Sequence, residues 1–533
     1  MAGLSNKDIA VAFREMETLF NVLGEPDRGR NYGRLSRIIE GLPDSAADLA
    51  VAGTLADVKG IGPPTQVIVA ELVDTGTIAL RDELAERASP GVLEMLRIPG
   101  LGPKKINAIV HELGIRSIEE LQAAATDGRL ATITGFGKKT ALNILEGIAY
   151  LNRTRGFVRM SEAHALSAVL VESLGLKDAA FGGSLRRGVP VIDEIAIVAV
   201  GKPESIEVPG ATLHDGVWSA PRGAGPALRI RLVERAAHAR ALFEETGPAD
   251  HVAQVLKRTG KEGSEDEIYA SRGLHFVPPE IRHAYDGTLE ISDLVQALQG
   301  LIHAHTTWSD GKLSIAEMAD AARERGYGYL GITDHSRFAV YARGLSIEQL
   351  EEQRKEIDAV NESATDGFRV LQGTEVDILP EGGLDYPDDV LEKLDFVIAS
   401  IHSAFSQDPD FITGRVVEAL RNPHVDILGH STGRLLLRRD GYPVDLDRVL
   451  RGAGETGTMI ELNANPWRLD LDPERHAEAR ELGIKIPICP DAHDAGGMDH
   501  NTWGLRAARH GGLRPEDVPN SGDVDAFLES CKS

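Results

Sequence analysis

With 533 residues the chain exceeds what one hydrophobic core can serve, and roughly three or four domains are expected. Its 42% hydrophobic content is that of an ordinary globular protein, and no apolar run of about eighteen residues offers a membrane span. A formal charge of -25 excludes a surface that binds polyanions everywhere, although backbone amides and a few lysines can still hold phosphates locally. The N-terminus MAGLSNKDIA lacks a basic stretch followed by an apolar one, so no secretory signal is expected. Only Cys489 and Cys531 are present, which argues against disulfides and fits a reducing cytoplasm.

Residues 1–150 read as helical, with short apolar-periodic segments and no convincing alternating strands. One pattern occurs in three places: VKGIGPPTQVIVAEL from Val58, IPGLGPKKINAIVHELG from Ile98 and ITGFGKKTALNILEGI from Ile133. Each is an apolar residue, Gly-x-Gly, a small or basic pair, and then a helix. Glycine permits the tight turn, and the free amides at the next helix start can point at a phosphate. Gly60, Gly62, Gly100, Gly102, Gly135 and Gly137 would make the turns. Lys104, Lys105, Lys138 and Lys139 stand where their charge would help. Three ordinary helix-loop-helix turns are the alternative, and recurrence with lysines weighs against it. The pattern resembles the helix-hairpin-helix motif, which grips DNA without reading its sequence.

Residues 155–290 look mixed. FGGSLRRG, from Phe181, precedes VIDEIAIVAV, which reads as a buried strand, and ALRIRLVERA around Ile230 reads as another. The Gly- and Pro-rich stretch 201–225 should be loop or a weak hairpin. From Leu301 onward short apolar strands alternate with helical stretches, the rhythm of a barrel or layered α/β domain.

Polar clusters follow those apolar runs. LIHAHTTWSDG supplies His303, His305 and Asp310, GITDHS supplies Asp334 and His335, and QGTEVDIL supplies Glu375 and Asp377. IASIHS supplies His402, ILGHSTGR supplies His430, and PDAHD supplies Asp491 and His493. His-x-His on a strand should place both imidazoles on one side. A mixed imidazole and carboxylate set at strand ends suits zinc, manganese or iron. For any single histidine a hydrogen-bonded core or surface role would be the better explanation, but the series with acidic partners outweighs it.

The order and wording of these clusters resemble the PHP (polymerase and histidinol phosphatase) family. That resemblance implies a distorted (βα)7 barrel holding two or three metal ions, Mn2+ or Zn2+. It fills the family's ligand positions with His303, His305, Asp310, His335, Glu375, His402, His430, Asp491 and His493, with His335, Asp491, His303 and Glu375 carrying catalysis. It implies in-line hydrolysis at phosphorus with the metals stabilising the phosphoryl oxygens and leaving group. Arg434 and Arg343 are candidate contacts to a substrate phosphate, with surface salt bridges as the equal alternative.

Hairpins, GGSLRRG and a PHP tail together resemble the bacterial X-family DNA polymerases, and the segment YASRGLHFVPPEIRHAYDG follows that family's linker wording. The fold class implied is multidomain α and α/β. Its parts are a helical DNA-binding domain with the first hairpin at 1–85 and a helix-hairpin-helix fingers region at 86–155. A degenerate polymerase-beta-like nucleotidyltransferase palm and thumb follows at 156–290, and the PHP domain spans 300–533. The family's triphosphate loop falls on Gly183, Ser184 and Arg187.

Nucleotidyl transfer in that fold needs carboxylates holding two Mg2+ or Mn2+ ions about 4 Å apart. The family's Asp-x-Asp positions fall on Glu194 and Ala196, with Asp193 next to them, and the third aspartate falls on Arg229. Glu244 and Glu245 replace the aromatic pair of the nucleotide pocket. The lysine of the family's lyase activity falls on Ile68. The function expected is a DNA-repair protein acting as a metal-dependent 3′-5′ exonuclease on gapped, nicked or 3′-recessed DNA, as a cytoplasmic monomer. A gap-filling polymerase using dNTPs, a small-molecule phosphatase and an inactive DNA-binding scaffold are the alternatives.

Overall fold

The computed structural model describes residues 4–283 and 293–531 and divides into two compact units, Met1–Thr154 and Arg155–Ser533. The last four residues of the linker-like segment, 284–287, lie outside the described residues. Among those described, no helix is long and apolar enough to cross a membrane.

The first unit is helical throughout. Helix α1 (Asn6–Val22) starts at a capping box in which Ser5 and Asp8 satisfy each other's backbone amides, and it packs on α2 (Pro26–Glu40). One apolar core runs from Ile9 to Leu151, so the parts expected at 1–85 and 86–155 share it. The three glycine turns lead into α3 (Pro63–Thr75), α4 (Pro103–Leu113) and α5 (Lys138–Thr154). They are built alike. Gly60, Gly100 and Gly135 have φ of 92°, 76° and 88°, a region an L-residue rarely enters. Between the glycines, Ile61, Leu101 and Phe136 plug into the core and donate their amides to Val58, Ile98 and Ile133.

The second unit begins with a five-stranded mixed sheet. Its strands are β1 (Lys177–Phe181), β2 (Glu194–Val200), β3 (Thr212–His214), β4 (Val217–Ala220) and β5 (Ala227–Val233), in the order β1-β2-β5-β4-β3. Only β2 and β5 run parallel. The expected weak hairpin is β3–β4, closed by Asp215 and Gly216 at φ 49° and 78°, the left-handed pair that a two-residue hairpin turn requires.

Six parallel strands follow: β6 (Gly300–Ala304), β7 (Tyr329–Ile332), β8 (Arg369–Asp377), β9 (Phe396–Ser400), β10 (Ile427–Leu428) and β11 (Met459–Ile460). They pair in chain order and are almost wholly buried, as parallel strands covered by helices on their faces must be. β12 (Leu462–Asn463) continues one residue after β11 and pairs with β13 (Ile488–Cys489). Ala492 then bridges Ala304 at the end of β6, so the curled sheet returns to its first strand. Glycine matters inside this sheet at Gly373, where a Cβ would come within 2.8 Å of the Phe396 ring. One apolar cluster joins the two sheets of this unit, including Ile195, Ile197 and Ile230 from the first and Val376, Leu428 and Ile460 from the second.

Candidate metal centre

The C-terminal ends of the parallel strands place all nine candidate ligands at one end of the curled sheet. His303 lies in β6 and His305 just after it, Glu375 lies in β8, and His335, His402, His430, Asp491 and His493 follow β7, β9, β10 and β13. Asp310 enters from the loop after β6. His303, His430 and Asp491 have φ of 67°, 22° and 53°, strained backbone for residues with a Cβ. The strain is held by the ladder: His303 accepts from the Ala492 amide at 3.1 Å, and the His305 amide donates to Ala492 at 2.8 Å. Both rings of the His-x-His pair therefore reach the cluster, 5.2 Å apart, by a left-handed kink rather than by regular alternation.

Glu375 sits at the centre. One carboxylate oxygen lies 2.9 Å from His430 Nε2 and 3.2 Å from His402 Nε2. The other lies 3.0, 3.5 and 3.7 Å from His335 Nδ1, His303 Nε2 and His305 Nε2. Asp491 stands beside the same pair, 3.3 Å from His305 Nε2 and 3.7 Å from His303 Nε2. Asp310 is 3.4 Å from His493 Nε2 and 3.7 Å from His335 Nε2.

Among the described residues, three overlapping groups could each hold an ion. They are His305, Asp310, His335 and His493; His303, His305 and Asp491; and His335, Glu375 and His402. His430 is outside these groups and meets the cluster through Glu375. The donor set fits a metal on a second count. His303 Nε2, both nitrogens of His305, His335 Nδ1 and His430 Nδ1 are buried without a hydrogen-bond partner, an arrangement that costs free energy unless something accepts their lone pairs. Charge agrees. Burial would raise the carboxyls of Glu375 and Asp491, yet the surrounding histidines hold both well below their usual range. Burial pushes His305 down to about 3, leaving a neutral ring.

A second ring of carboxylates orients the first. Glu461, fully buried between β11 and β12, lies 2.5 Å from His303 Nδ1 and accepts the His430 amide at 2.6 Å. Asp377 lies 3.1 Å from His402 Nδ1. Each leaves the opposite ring nitrogen facing the cluster, the usual division of labour around a ligating histidine. Glu461 is the residue that the sequence reading missed, its only signal being a carboxylate inside the apolar run MIELN. Asp334 does not join the cluster. It accepts from the amides and hydroxyls of Thr306 and Ser309 and from Gln353, fixing the loop that carries Asp310. Arg434 is spent on Asp472 and on the carbonyls of Arg468 and Leu469, so it braces a loop instead of reaching outward. Arg343 is exposed and donates to the Ser309 carbonyl.

In the first unit the turn glycines Gly100, Gly102, Gly135 and Gly137 have open space in front of them, and Lys104, Lys105, Lys138 and Lys139 are exposed beside them. Gly62 and Gly102 cap α3 and α4, whose first turns begin with proline. Gly60 is hemmed in by Ile38 and by Arg34, which donates to its carbonyl at 2.8 Å.

The mixed sheet places Ala196 directly opposite Arg229. Arg229 Nε lies 3.2 Å from Glu245 and 3.9 Å from Glu194, while Arg231 lies 2.9 Å from Glu244 and 3.5 Å from Glu245. Asp193 faces Arg222 at 3.7 Å. Burial raises the Glu194 carboxyl above its usual range, and Arg229 offsets this only in part. Gly183 sits against Ala196, and Arg187 folds inward to Ser184 Oγ at 2.8 Å and to the Thr246 carbonyl. This face is an ion-pair network whose charges are already matched.

A family model described as a SAM-like helix-hairpin-helix tandem matches residues 92–149, and the PHP domain model matches residues 302–465. Over 522 residues the chain is 36% identical to the DNA polymerase/3′-5′ exonuclease PolX of Bacillus subtilis (strain 168), covering 89% of this chain and 91% of that protein. A probable phosphatase of Thermoanaerobacter sp. (strain X514) is 30% identical over 247 residues, 43% of this chain and 94% of that one. The solved histidinol phosphate phosphatase of Lactococcus lactis overlaps with a TM-score of 0.32 at 17% identity, covering 39% of this chain and 93% of that one, too loosely to carry weight. Helix-hairpin-helix turns joined to a PHP domain define the class. Within it, the chain belongs to the PolX family.

Proposed function

We propose that this protein is a DNA-repair exonuclease that hydrolyses phosphodiesters from 3′ ends at its PHP domain. The observation that carries the reading is the convergence of buried, hydrogen-bond-deprived histidine nitrogens on Glu375 and Asp491. His303, His305, Asp310, His335, Glu375, His402, His430, Asp491 and His493 would hold two or three Mn2+ or Zn2+ ions within a distorted (βα)7 barrel. Bound ions of this kind supply an activated water and stabilise charge on the phosphoryl oxygens. Glu375 lies between the histidines and would be one of the carboxylates holding the ions, while Glu461 and Asp377 keep the rings turned inward. The helix-hairpin-helix turns, with exposed lysines beside open glycine turns, support DNA as the partner, held by its backbone at gaps, nicks or 3′-recessed ends. Both cysteines are free, which fits a reducing cytoplasm.

In this reading the mixed sheet with its flanking helices is a polymerase-beta-like core that has lost two-metal chemistry. Where carboxylates would hold the ions, Ala196 offers no ligand and Arg229 brings a positive charge. The domain limits 1–85, 86–155, 156–290 and 300–533 belong to the same proposal. A second reading, Mn2+-dependent gap filling with dNTPs through Glu194 and Asp193, is favoured by one observation: the Bacillus subtilis relative's name joins polymerase to exonuclease. Primer extension by Glu194→Ala separates the two, since extension that depends on Glu194 supports the second. For the leading reading, Asp491→Ala is expected to abolish shortening of end-labelled DNA while leaving DNA binding in a gel-shift assay largely intact. Undiminished shortening by that variant would remove the PHP domain as its source.

A further inference from the structure

The loop after His335 displays apolar side chains that folding does not use. Phe338, Val340 and Tyr341 are 40%, 80% and 71% exposed. Their backbone is nevertheless tied down. The Phe338 amide donates to Asp385 at 2.7 Å, the Leu345 amide to His335 at 2.8 Å and the Gly344 amide to Ala339 at 3.1 Å. Ala339 and Ala342 are buried beneath it. A pinned loop that turns aromatic surface to water is a built feature, because apolar exposure is unfavourable and nothing local forces it.

Tyr341 stands over the metal cluster. Its ring centre lies 6.2 Å from that of His335 and 6.5 Å from that of His402. Arg468 also borders the cluster, 3.8 Å from Asp491. Trp467 next to it is the instructive contrast. It too is exposed, at 41%, but the Arg159 guanidinium lies 3.3 Å from its ring centre and already occupies one face. Tyr341 is the more exposed ring and lies against the cluster histidines.

Resting on the phosphoesterase reading above, we propose that Tyr341 is the stacking platform for the 3′-terminal base of an unpaired DNA strand. Stacking tolerates any sequence because every base has a π face, which suits an enzyme that removes nucleotides one after another. The charge is complementary as well: the strand's last phosphodiester would lie between Arg468 and the cluster, on a protein whose overall charge of -25 otherwise repels it. The site therefore takes a frayed or single-stranded end, and a paired terminus must open first.

The test uses the full-length protein and an oligonucleotide with 2-aminopurine as its 3′-terminal base, read by fluorescence in EDTA. A second arm compares Mn2+-dependent shortening of a normal strand with one ending in two abasic residues. Wild type and Tyr341→Phe are expected to quench the fluorophore and to prefer the base-bearing end by about tenfold. Tyr341→Ala is expected to lose the quenching and most of that preference. Quenching and preference that survive in Tyr341→Ala overturn the proposal, and so does a Tyr341→Phe variant that behaves like the alanine, since the hydroxyl would then be the operative group. Quenching that depends on the ring, without shortening by any of the proteins, would leave the stacking site standing and remove the phosphoesterase reading. Shortening with quenching indifferent to Tyr341 would do the reverse.

Discussion

Two regions of the second unit gather charged side chains at strand ends, and they end up as different things. Around Glu375 the partners are histidines, buried, crowded within 3 to 4 Å, and several of their nitrogens have no hydrogen bond. Around Glu194 and Glu245 the partners are arginines, half-exposed, each carboxylate already answered by a guanidinium. The lesson is that acidic residues at strand ends do not by themselves make a metal site. What marks the Glu375 cluster as the candidate is unsatisfied donor atoms in a dry place, because those are what a cation would satisfy and what water or an ion pair would otherwise quench.

Removing the centre of the cluster should break that contrast most severely. Glu375→Ala is expected to lower hydrolysis by on the order of a thousandfold and to reduce the metal retained after dialysis, read by elemental mass spectrometry. Full activity with an unchanged metal content would mean that Glu375 is merely a buried hydrogen-bond acceptor. Next comes the residue behind the ligands. Glu461→Gln keeps the shape but weakens the hold on His303, and a loss of about 10- to 100-fold in metal affinity is expected from titration. An unaltered affinity would show that His303 needs no such support.

A buried histidine outside the cluster sharpens the comparison by showing what burial alone does. His476 is fully buried, with Leu471, Asp472, His510 and Arg434 around it, and burial pushes it down to about 4. Its folded value lies below its ordinary 6.5, so the neutral form is favoured on folding. The stability it contributes is intact above about pH 6.5 and is lost as pH falls toward 4, by about 2 kcal/mol at pH 5. Urea unfolding at pH 7.5 and pH 5 should therefore show a smaller acid loss in His476→Gln than in the wild type, and equal losses would contradict this.

The smallest effect is expected at the matched network. Arg229→Ala breaks half-exposed pairs and should cost no more than about 1 kcal/mol in urea unfolding. It should leave DNA shortening unchanged, and it should not create primer extension, since Ala196 still supplies no ligand. Extension gained by this single change would show that the face is an inhibited metal site.

Much of the cluster was legible in the sequence because most candidate ligands lie at or just after the end of an apolar strand, so order along the chain becomes order around the curled sheet. His303, His335 and Glu375 could be read this way. Glu461 could not, since one carboxylate in an apolar run looks the same whether it orients a histidine or caps a turn. Asp334 and Arg434 were legible as charged residues but not as internal braces, because their partners, Thr306, Ser309 and Asp472, are set by loop conformation. The left-handed backbone at His303 and Asp491 was equally hidden, as neither is glycine. In the first unit the glycine spacing sufficed, since the turn geometry leaves few other residues able to occupy it. That Arg229 falls where the resemblance expects a carboxylate is an expectation that the residues alone do not give, and the fold shows only its parallel pairing with Ala196.

The central claim is that hydrolysis belongs to the histidine cluster and that the mixed sheet performs no nucleotidyl transfer. The most direct measurement is a denaturing gel of end-labelled primer on gapped and recessed DNA with Mn2+ or Mg2+, with and without dNTPs, for the wild type, His335→Ala and Glu194→Ala. Shortening is expected from the wild type and Glu194→Ala, none from His335→Ala, and no lengthening in any lane. Template-directed lengthening that disappears in Glu194→Ala, or shortening that persists in His335→Ala, would contradict the central claim.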